Sequence, residues 1–320
     1  KKLGGAKILF KQEHLNHTGS HKITNSLFQI LLAKRMGKSH LICESGAGQH
    51  YSATAAVAAK FNMPLVGVMG DIDVARVNQN IIKAKHYGAK LKTVPGTLKE
   101  AITDAIKTWT TNPEYAYICG SVVSSSPFPK IVAFAQSIIG REIREQSMSQ
   151  EGKIPDMICG CVGGGSNFAG AIYEFLDEPS VTKIGVEAHE TAALTNGTPG
   201  IMQGMKTYML QTDDGAKSLG GMSLGAGITY FSVGPLHSYL KDQGAVKYSS
   251  ATDKEMLEAY KIIAQTEGIC SALEPMAAAA EIIFRQAKDK PKDYTICLSL
   301  CGRGEKDLDT IQEHIGKDFE

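Results

Sequence analysis

The 320-residue chain predicts an α/β fold: two three-layer αβα domains, each a parallel sheet with helices on both faces. Three observations predict it. Short apolar runs of strand length alternate with longer stretches of helical spacing. Runs such as 65–69 and 157–162 are continuously apolar, as strands buried on both faces are. A run at residues 157–162 then opens into the turn Gly163-Gly164-Gly165-Ser166-Asn167, the way a strand of such a sheet hands over to a helix. With 43% hydrophobic residues, the chain can bury two domain-sized cores.

Along the chain, strand-like runs occupy residues 40–43, 65–69, 91–94, 115–119, 157–162, 184–187 and 294–300. Helical spacing covers residues 52–61, 98–109, 131–146 and 253–266, and no internal repeat or low-complexity linker separates them. Residues 190–217 are rich in Gly, Thr and Asn with weak periodicity, which predicts a loop over the functional site. A formal net charge of +1 gives no long-range field for nucleic acid or an anionic membrane, so small molecules are the expected partners. No apolar run approaches the ~20 residues that span a bilayer, and no signal-peptide core follows Lys-Lys-Leu-Gly-Gly, so a cytoplasmic protein is expected. Seven cysteines, most of them in or beside apolar runs, read as reduced core thiols, and the spacing of Cys159 and Cys161 is not that of zinc ligands. The sequons at Asn16 and Asn196 carry no meaning in a cytosolic chain.

The chemistry is carried by two separated segments. Lys22 stands in Gly19-Ser20-His21-Lys22-Ile23-Thr24-Asn25. Alone, a lysine at a helix start is usually solvated surface and a glycine triplet is usually a turn. Together they suggest a lysine held for Schiff-base chemistry and a cradle for a phosphate, and pyridoxal 5'-phosphate is the cofactor that needs both. Three bare glycines let backbone N–H groups approach an anion, and Ser166 and Asn167 add donors before a helix expected from Phe168. Glu44 follows the run 40–43 and so sits at the carboxyl end of a strand, where ligands of parallel sheets bind. Ser45, Gly46, Ala47, Gly48, Gln49 and His50 form a turn into a helix expected at Ser52, with N–H groups suited to a substrate carboxylate. The dinucleotide pattern begun by Gly46-Ala47-Gly48 fails at Tyr51, where its third glycine should stand.

The wording around these residues closely resembles the β chain of tryptophan synthase. It does so at His14 to Lys22, Leu31 to Gly37, Glu44 to His50, Gly70 to Arg76, Pro127-Phe-Pro129, Gly163 to Asn167, Gln211 to Gly215, Val233-Gly-Pro235, Ala272-Leu-Glu274 and Gly302-Arg-Gly304, all in family order. The resemblance implies the type II fold of pyridoxal-phosphate enzymes, with the cofactor in the cleft between domains. It implies a first domain over residues 1–135 with a mobile subdomain near 37–120, and a second over 136–320; the family's leading segment is absent, as in a fragment or a shortened relative. The implied reaction is L-serine plus indole to L-tryptophan plus water, by a homodimer that partners the tryptophan synthase α chain. Implied cofactor contacts are His21, Lys22, Gln49, Gly163, Gly164, Gly165, Ser166, Asn167, Gly227, Glu274 and Cys301. Lys22 serves as acid and base. Glu44 helps hydroxide leave and deprotonates indole, which suits a carboxyl whose pKa is raised by an apolar pocket. Ser45 to His50, Arg76, Leu98 and Cys119 contact substrates, and the carbonyls of Gly163, Tyr230 and Ser232 match a site for a monovalent cation, Na+ or K+.

Some residues depart from the family. Cys301 stands where Ser is usual. A neutral thiol leaves the pyridine nitrogen unprotonated as a hydroxyl does, whereas an ionised one, with a reference pKa of ~8.5, would stabilise a pyridinium. Some serine and threonine dehydratases also carry Cys there. Thr229 replaces a catalytic Asp that pairs with the arginine matching Arg76, which leaves room for O-phosphoserine as donor. Ser124-Ser125-Ser126 and Tyr51 are further differences, Ile102 joins Leu98 in an apolar pocket, and Met202 and Gln203 lie where some members have aromatic residues along an indole tunnel. The alternatives are therefore a dehydratase, a β-replacement enzyme with another donor, and a non-catalytic homologue, against which the retention of Lys22, Glu44 and the glycine cradle argues.

Overall fold

The computed structural model describes residues 4–75, 77–215 and 217–319. The chain divides into two compact units, Asn16–Ser121, and Lys1–Leu15 together with Val122–Glu320. The boundary expected near 135 lies inside the helix Phe128–Gln136, and the first residues belong with the later unit because Lys7–Lys11 pairs with Thr295–Ser299. The strands are β1 Lys7–Lys11, β2 His40–Glu44, β3 Leu65–Gly70, β4 Lys90–Val94, β5 Tyr115–Tyr117, β6 Met157–Cys161, β7 Thr182–Ala188, β8 Thr198–Met202, β9 Met205–Met209, β10 Lys247–Ala251 and β11 Thr295–Ser299.

In the unit of residues 16–121 the sheet order is β4-β3-β2-β5, with every pairing parallel. Leu41, Cys43, Leu65 and Met69 from its strands pack with Ile30, Tyr51, Ala55 and Ala58 from helices Lys22–Arg35 and Gln49–Lys60 into one core. Tyr51, a departure from the family, is accommodated by Gly67, where an added Cβ would lie 2.2 Å from the Tyr51 ring. β2 has β3 on one side and β5 on the other, so connections leave it in opposite directions. The carboxyl ends of β2 and β5 therefore bound a crevice of the kind that holds ligands in open parallel sheets.

The second unit repeats this logic in the order β1-β11-β6-β7-β10, again all parallel. Here the direction changes between β6 and β11, which places the turn after β6 and the segment after β11 at the equivalent crevice. Its core runs through Cys159, Val186, Met276, Ile296 and Leu298 on one side of the sheet and Ile158, Phe168, Phe175 and Leu240 on the other.

All seven expected strands form, and the structure adds β1, β8, β9 and β10. The segment read as one helix over 131–146 is two, Phe128–Gln136 and Ile138–Glu151, broken at Ser137, whose hydroxyl donates to the Phe134 carbonyl at 2.8 Å. Within the expected loop 190–217, β8 and β9 make a hairpin turning at Gln203-Gly204, both at positive φ of 51° and 77°, the mirror-image turn that suits strand twist. Among the described residues no helix is long and apolar enough to cross a membrane. No disulfide joins the seven cysteines, of which six are buried and Cys270 is exposed.

Candidate active site

One cluster of candidate residues lies at the switch point of the unit 16–121. Helix Lys22–Arg35 is fastened to the exit of β5 by two side chains on the face that Lys22 shares. Asn25 Nδ2 and Gln29 Nε2 each donate to the Cys119 carbonyl at 2.8 Å, and Gln29 Oε1 accepts the Cys119 N–H at 3.1 Å. This anchoring lets the half-buried Lys22 donate its ammonium to the Gly120 carbonyl at 2.5 Å. Glu44, at the end of β2, accepts the Gly120 N–H at 2.9 Å. Gly120 thus joins the two groups. It must be glycine: a Cβ there would lie 2.6 Å from the His50 ring and 3.0 Å from Glu44 Oε1. Asn25 and Gln29 were not singled out in the sequence, although their spacing of three and seven from Lys22 is the signal that could have found them.

Burial sets the electrostatics. It pushes the Glu44 carboxyl above its ordinary value, while hydrogen bonds from Tyr117 and Gly120 and the charge of Lys22 pull it partly back. His50 is lowered to about 3, by burial and then by the positive charge of Lys22, so it is neutral. Its Nε2 donates to the Ile118 carbonyl at 2.8 Å. The Cys119 thiol is pushed up to about 12 by burial and the Glu44 charge, so it lines the site as a small apolar group.

The turn 45–48 enters the helix earlier than expected, at Gln49 rather than Ser52. Gly48 takes a left-handed φ of 73°, and Asn80 Nδ2 holds the turn by donating to the Ala47 carbonyl at 2.9 Å. Ser45, Ala47 and His50 are buried, and Gln49 Oε1 is buried with no partner among the described residues. Leu98 approaches this turn, 3.5 Å from the position of a Cβ on Gly46. The structure therefore gathers Lys22, Glu44, Ser45 to His50, Leu98 and Cys119 in one unit. His21 is buried beside Lys22, and Arg76 lies outside the described residues.

A second cluster of candidate residues lies at the switch point of the other unit. The helix after β6 spans Ser166–Ile172, so Ser166 and Asn167 sit in its first turn rather than before it. Gly163 is pressed against the segment 227–228: an added Cβ would be 2.8 Å from Ile228 Cα and 2.9 Å from the Gly227 carbonyl. Gly165, at φ 96°, would place a Cβ 2.2 Å from the His237 ring. Glu274 Oε1 accepts the Gly227 N–H at 2.7 Å. Cys301, just past β11, has its Sγ 3.5 Å from Cys161 Sγ at the end of β6. Cys301 and Glu274 are brought near each other by the Ala272 N–H donating to the Gly302 carbonyl at 2.9 Å. Thr229 is engaged within its own loop, donating to the carbonyls of Gly225 and Ser223 at 3.2 and 3.3 Å. Tyr230 and Ser232 follow on the same loop, both buried.

These residues fit pyridoxal phosphate. Asn167 Oδ1 accepts from Ser299 at 3.0 Å, which orients the amide, and its Nδ2 is buried without a partner among the described residues, a donor lacking only an acceptor such as a phosphate oxygen. The bare backbone at Gly163 and Gly165 is enforced by packing. Lys22, in the unit of residues 16–121, carries an amine of the kind that the cofactor's aldehyde would take. Among the described residues no group of three or more His, Cys, Asp or Glu could hold a metal ion.

Comparison with known proteins agrees. The family described as pyridoxal-phosphate dependent enzyme matches residues 1–302. The tryptophan synthase beta chain of Allorhizobium ampelinum is 48% identical over 326 residues, covering 98% of this chain and 80% of that protein. Those of Dinoroseobacter shibae and Ruegeria pomeroyi are 46% and 47% identical, each covering 99% of this chain and 80% and 79% of their own length. A crystal structure of an O-ureido-L-serine synthase with O-ureido-L-serine bound shares the fold, with a TM-score of 0.75 at 18% identity over 98% of this chain and 89% of that one. The chain belongs to the pyridoxal-phosphate-dependent enzymes and, among them, to the tryptophan synthase β-chain family.

Proposed function

We propose that this chain is the β-replacement enzyme of tryptophan synthesis, converting L-serine and indole to L-tryptophan and water. The observation that carries the reading is the meeting of Lys22 and Glu44 at Gly120, the first on its carbonyl and the second on its N–H. A base for the amino-acid Cα and a carboxyl that can both give and take a proton are what the reaction requires, and they are coupled here at one residue.

Bound pyridoxal phosphate supplies an electron sink for the amino-acid Cα. Asn167, Ser166 and the N–H groups of residues 163–165 hold its phosphate; Glu274 and Cys301 border its ring. The N–H groups of residues 45–49 hold the carboxylate of L-serine, which orients the amino acid. Lys22 Nζ removes the proton at Cα and later returns one there. Glu44, raised by burial, delivers a proton to the departing β-hydroxyl as water forms, and its anion then accepts the proton that indole gives up. Ile102 and Cys119, both buried, and the partly buried Leu98 supply apolar side chains that suit an aromatic nucleophile.

The same reading includes a monovalent cation on the carbonyls of Gly163, Tyr230 and Ser232, a homodimer, an α-chain partner and a cytoplasmic setting. Seven cysteines with no disulfide among them suit the last of these. Lys22→Ala tests the assignment of the amine. Protein reconstituted with the cofactor should lose its visible absorbance and its tryptophan formation; a visible band retained in the variant refutes the role of Lys22.

A further inference from the structure

Lys306 lies in Gly302-Arg303-Gly304-Glu305-Lys306-Asp307, where four of six residues are charged. It is nevertheless buried, with 8% of its side chain accessible. Its Nζ donates to Glu274 Oε1 at 2.8 Å and to both oxygens of Asp307 at 2.8 Å. Glu274 Oε1 takes a further bond from the Gly227 N–H at 2.7 Å, on a glycine whose added Cβ would lie only 2.6 Å from that oxygen. Asp307 Oδ2 accepts the N–H of Leu273, the residue before Glu274, at 2.8 Å. The segments 271–273 and 301–307 are also stitched by Ser271 Oγ donating to the Gly302 carbonyl at 3.0 Å. All of these groups belong to the unit that carries the glycine turn.

This network uses one oxygen of Glu274 twice and the other not at all. Glu274 Oε2 is buried with no hydrogen-bond partner among the described residues. A purely structural ion pair gains nothing by leaving a desolvated carboxylate oxygen bare, and buried pairs of that kind are often replaceable by apolar residues. The charge distribution agrees. Burial opposes ionisation of Glu274, yet the Lys306 charge and hydrogen bond outweigh it and hold the carboxyl below its ordinary value, whereas burial keeps Asp307 above its own.

We propose that Lys306 is a positioning residue for the cofactor: by clamping Glu274 Oε1 and bridging to Asp307, it locks the helix start at Glu274 to the segment after β11 and leaves Glu274 Oε2 to meet the bound pyridoxal phosphate. The inference rests on the functional reading above, because it takes Glu274 as a cofactor contact.

The test uses the whole chain reconstituted with pyridoxal phosphate and compares wild type, E274Q, K306M, K306R and K306M/E274Q. Cofactor affinity is measured by equilibrium dialysis, the absorption and fluorescence of the bound cofactor are recorded, and folding is followed by circular dichroism. K306M and E274Q should each weaken cofactor binding at least tenfold and shift the absorption maximum. K306R should restore the wild-type spectrum, and the double variant should bind within twofold of E274Q, because Lys306 acts through Glu274. K306M with affinity and spectrum unchanged within twofold overturns the proposal, as do losses that multiply in the double variant. Should K306M fail to fold, K306M/E274Q, which leaves no unpaired charge on residue 274, decides it: affinity matching E274Q supports the clamp and a further tenfold loss overturns it. Wild-type protein that takes up no cofactor would instead sink the functional reading.

Discussion

Replacing Gly165 with alanine probes whether the turn after β6 is built for close backbone approach. Gly165 has φ 96°, and a Cβ there would lie 2.2 Å from His237 Cδ2 and Nε2. The ring cannot swing aside. Its Nε2 donates to the Gly165 carbonyl at 2.8 Å, its Nδ1 pairs with the Tyr248 hydroxyl at 2.9 Å, and it stacks on Phe168 with centroids 5.9 Å apart. The positive φ costs an alanine roughly 1–2 kcal/mol. Crowding a packed interior adds about 1–3 kcal/mol. Together G165A should lose roughly 2–5 kcal/mol in urea unfolding of the cofactor-free chain and weaken cofactor binding as well. In an H237A background the collision is gone, so the loss should shrink to the backbone cost of about 1–2 kcal/mol. An equal loss in both backgrounds, or a loss below ~1 kcal/mol in the wild type, would refute the argument that His237 is what forbids a side chain there.

Three further outcomes follow from the electrostatics. E44Q should keep the bound cofactor's spectrum but lower kcat/KM for tryptophan formation by ~10²–10⁴-fold; retention of activity within tenfold would remove Glu44 as the proton carrier. Because burial raises the folded carboxyl of Glu44 above its unfolded value, the folded chain holds that proton longer, so wild-type stability falls as pH rises from 4.5 through the raised value. In E44Q this decline should be absent, and unfolding profiles of the two that run parallel over that range would contradict it. His50 and His237 are lowered to about 3 and about 4 from 6.5, so the unfolded chain binds protons the folded one refuses. Stability should therefore fall as pH drops below 6.5, by about 1.4 kcal/mol per pH unit for each group, and a Gln at position 50 should reduce that slope.

The parts of this fold that could be read from the sequence are those where one force dominates. The strands β2, β3, β6, β7 and β11 are buried along most of their length and so carry apolar runs at their centres. β10, an edge strand reading Lys-Tyr-Ser-Ser-Ala, carries no such signal, and neither does edge strand β1, whose apolar centre is closed by lysines. The hairpin β8–β9 was hidden by a Gly-, Thr- and Pro-containing composition, and its turn uses Gln203 at a positive φ that sequence rules assign to Gly or Asn. In the site, the glycine turn, Lys22 and Glu44 were legible because few arrangements other than a cofactor cradle call for that pairing. Asn25, Gln29 and Lys306 were not. The first two act by fastening one helix to a strand exit far along the chain, and the third looks like surface charge until the fold buries it.

The central claim is tested most directly by the visible spectrum of the protein reconstituted with pyridoxal phosphate, recorded as L-serine and then indole are added, with tryptophan and pyruvate both quantified. Adding serine should change the spectrum, and indole should reverse the change as tryptophan accumulates, one for each serine consumed. Pyruvate without tryptophan, or no spectral response to serine, would contradict it.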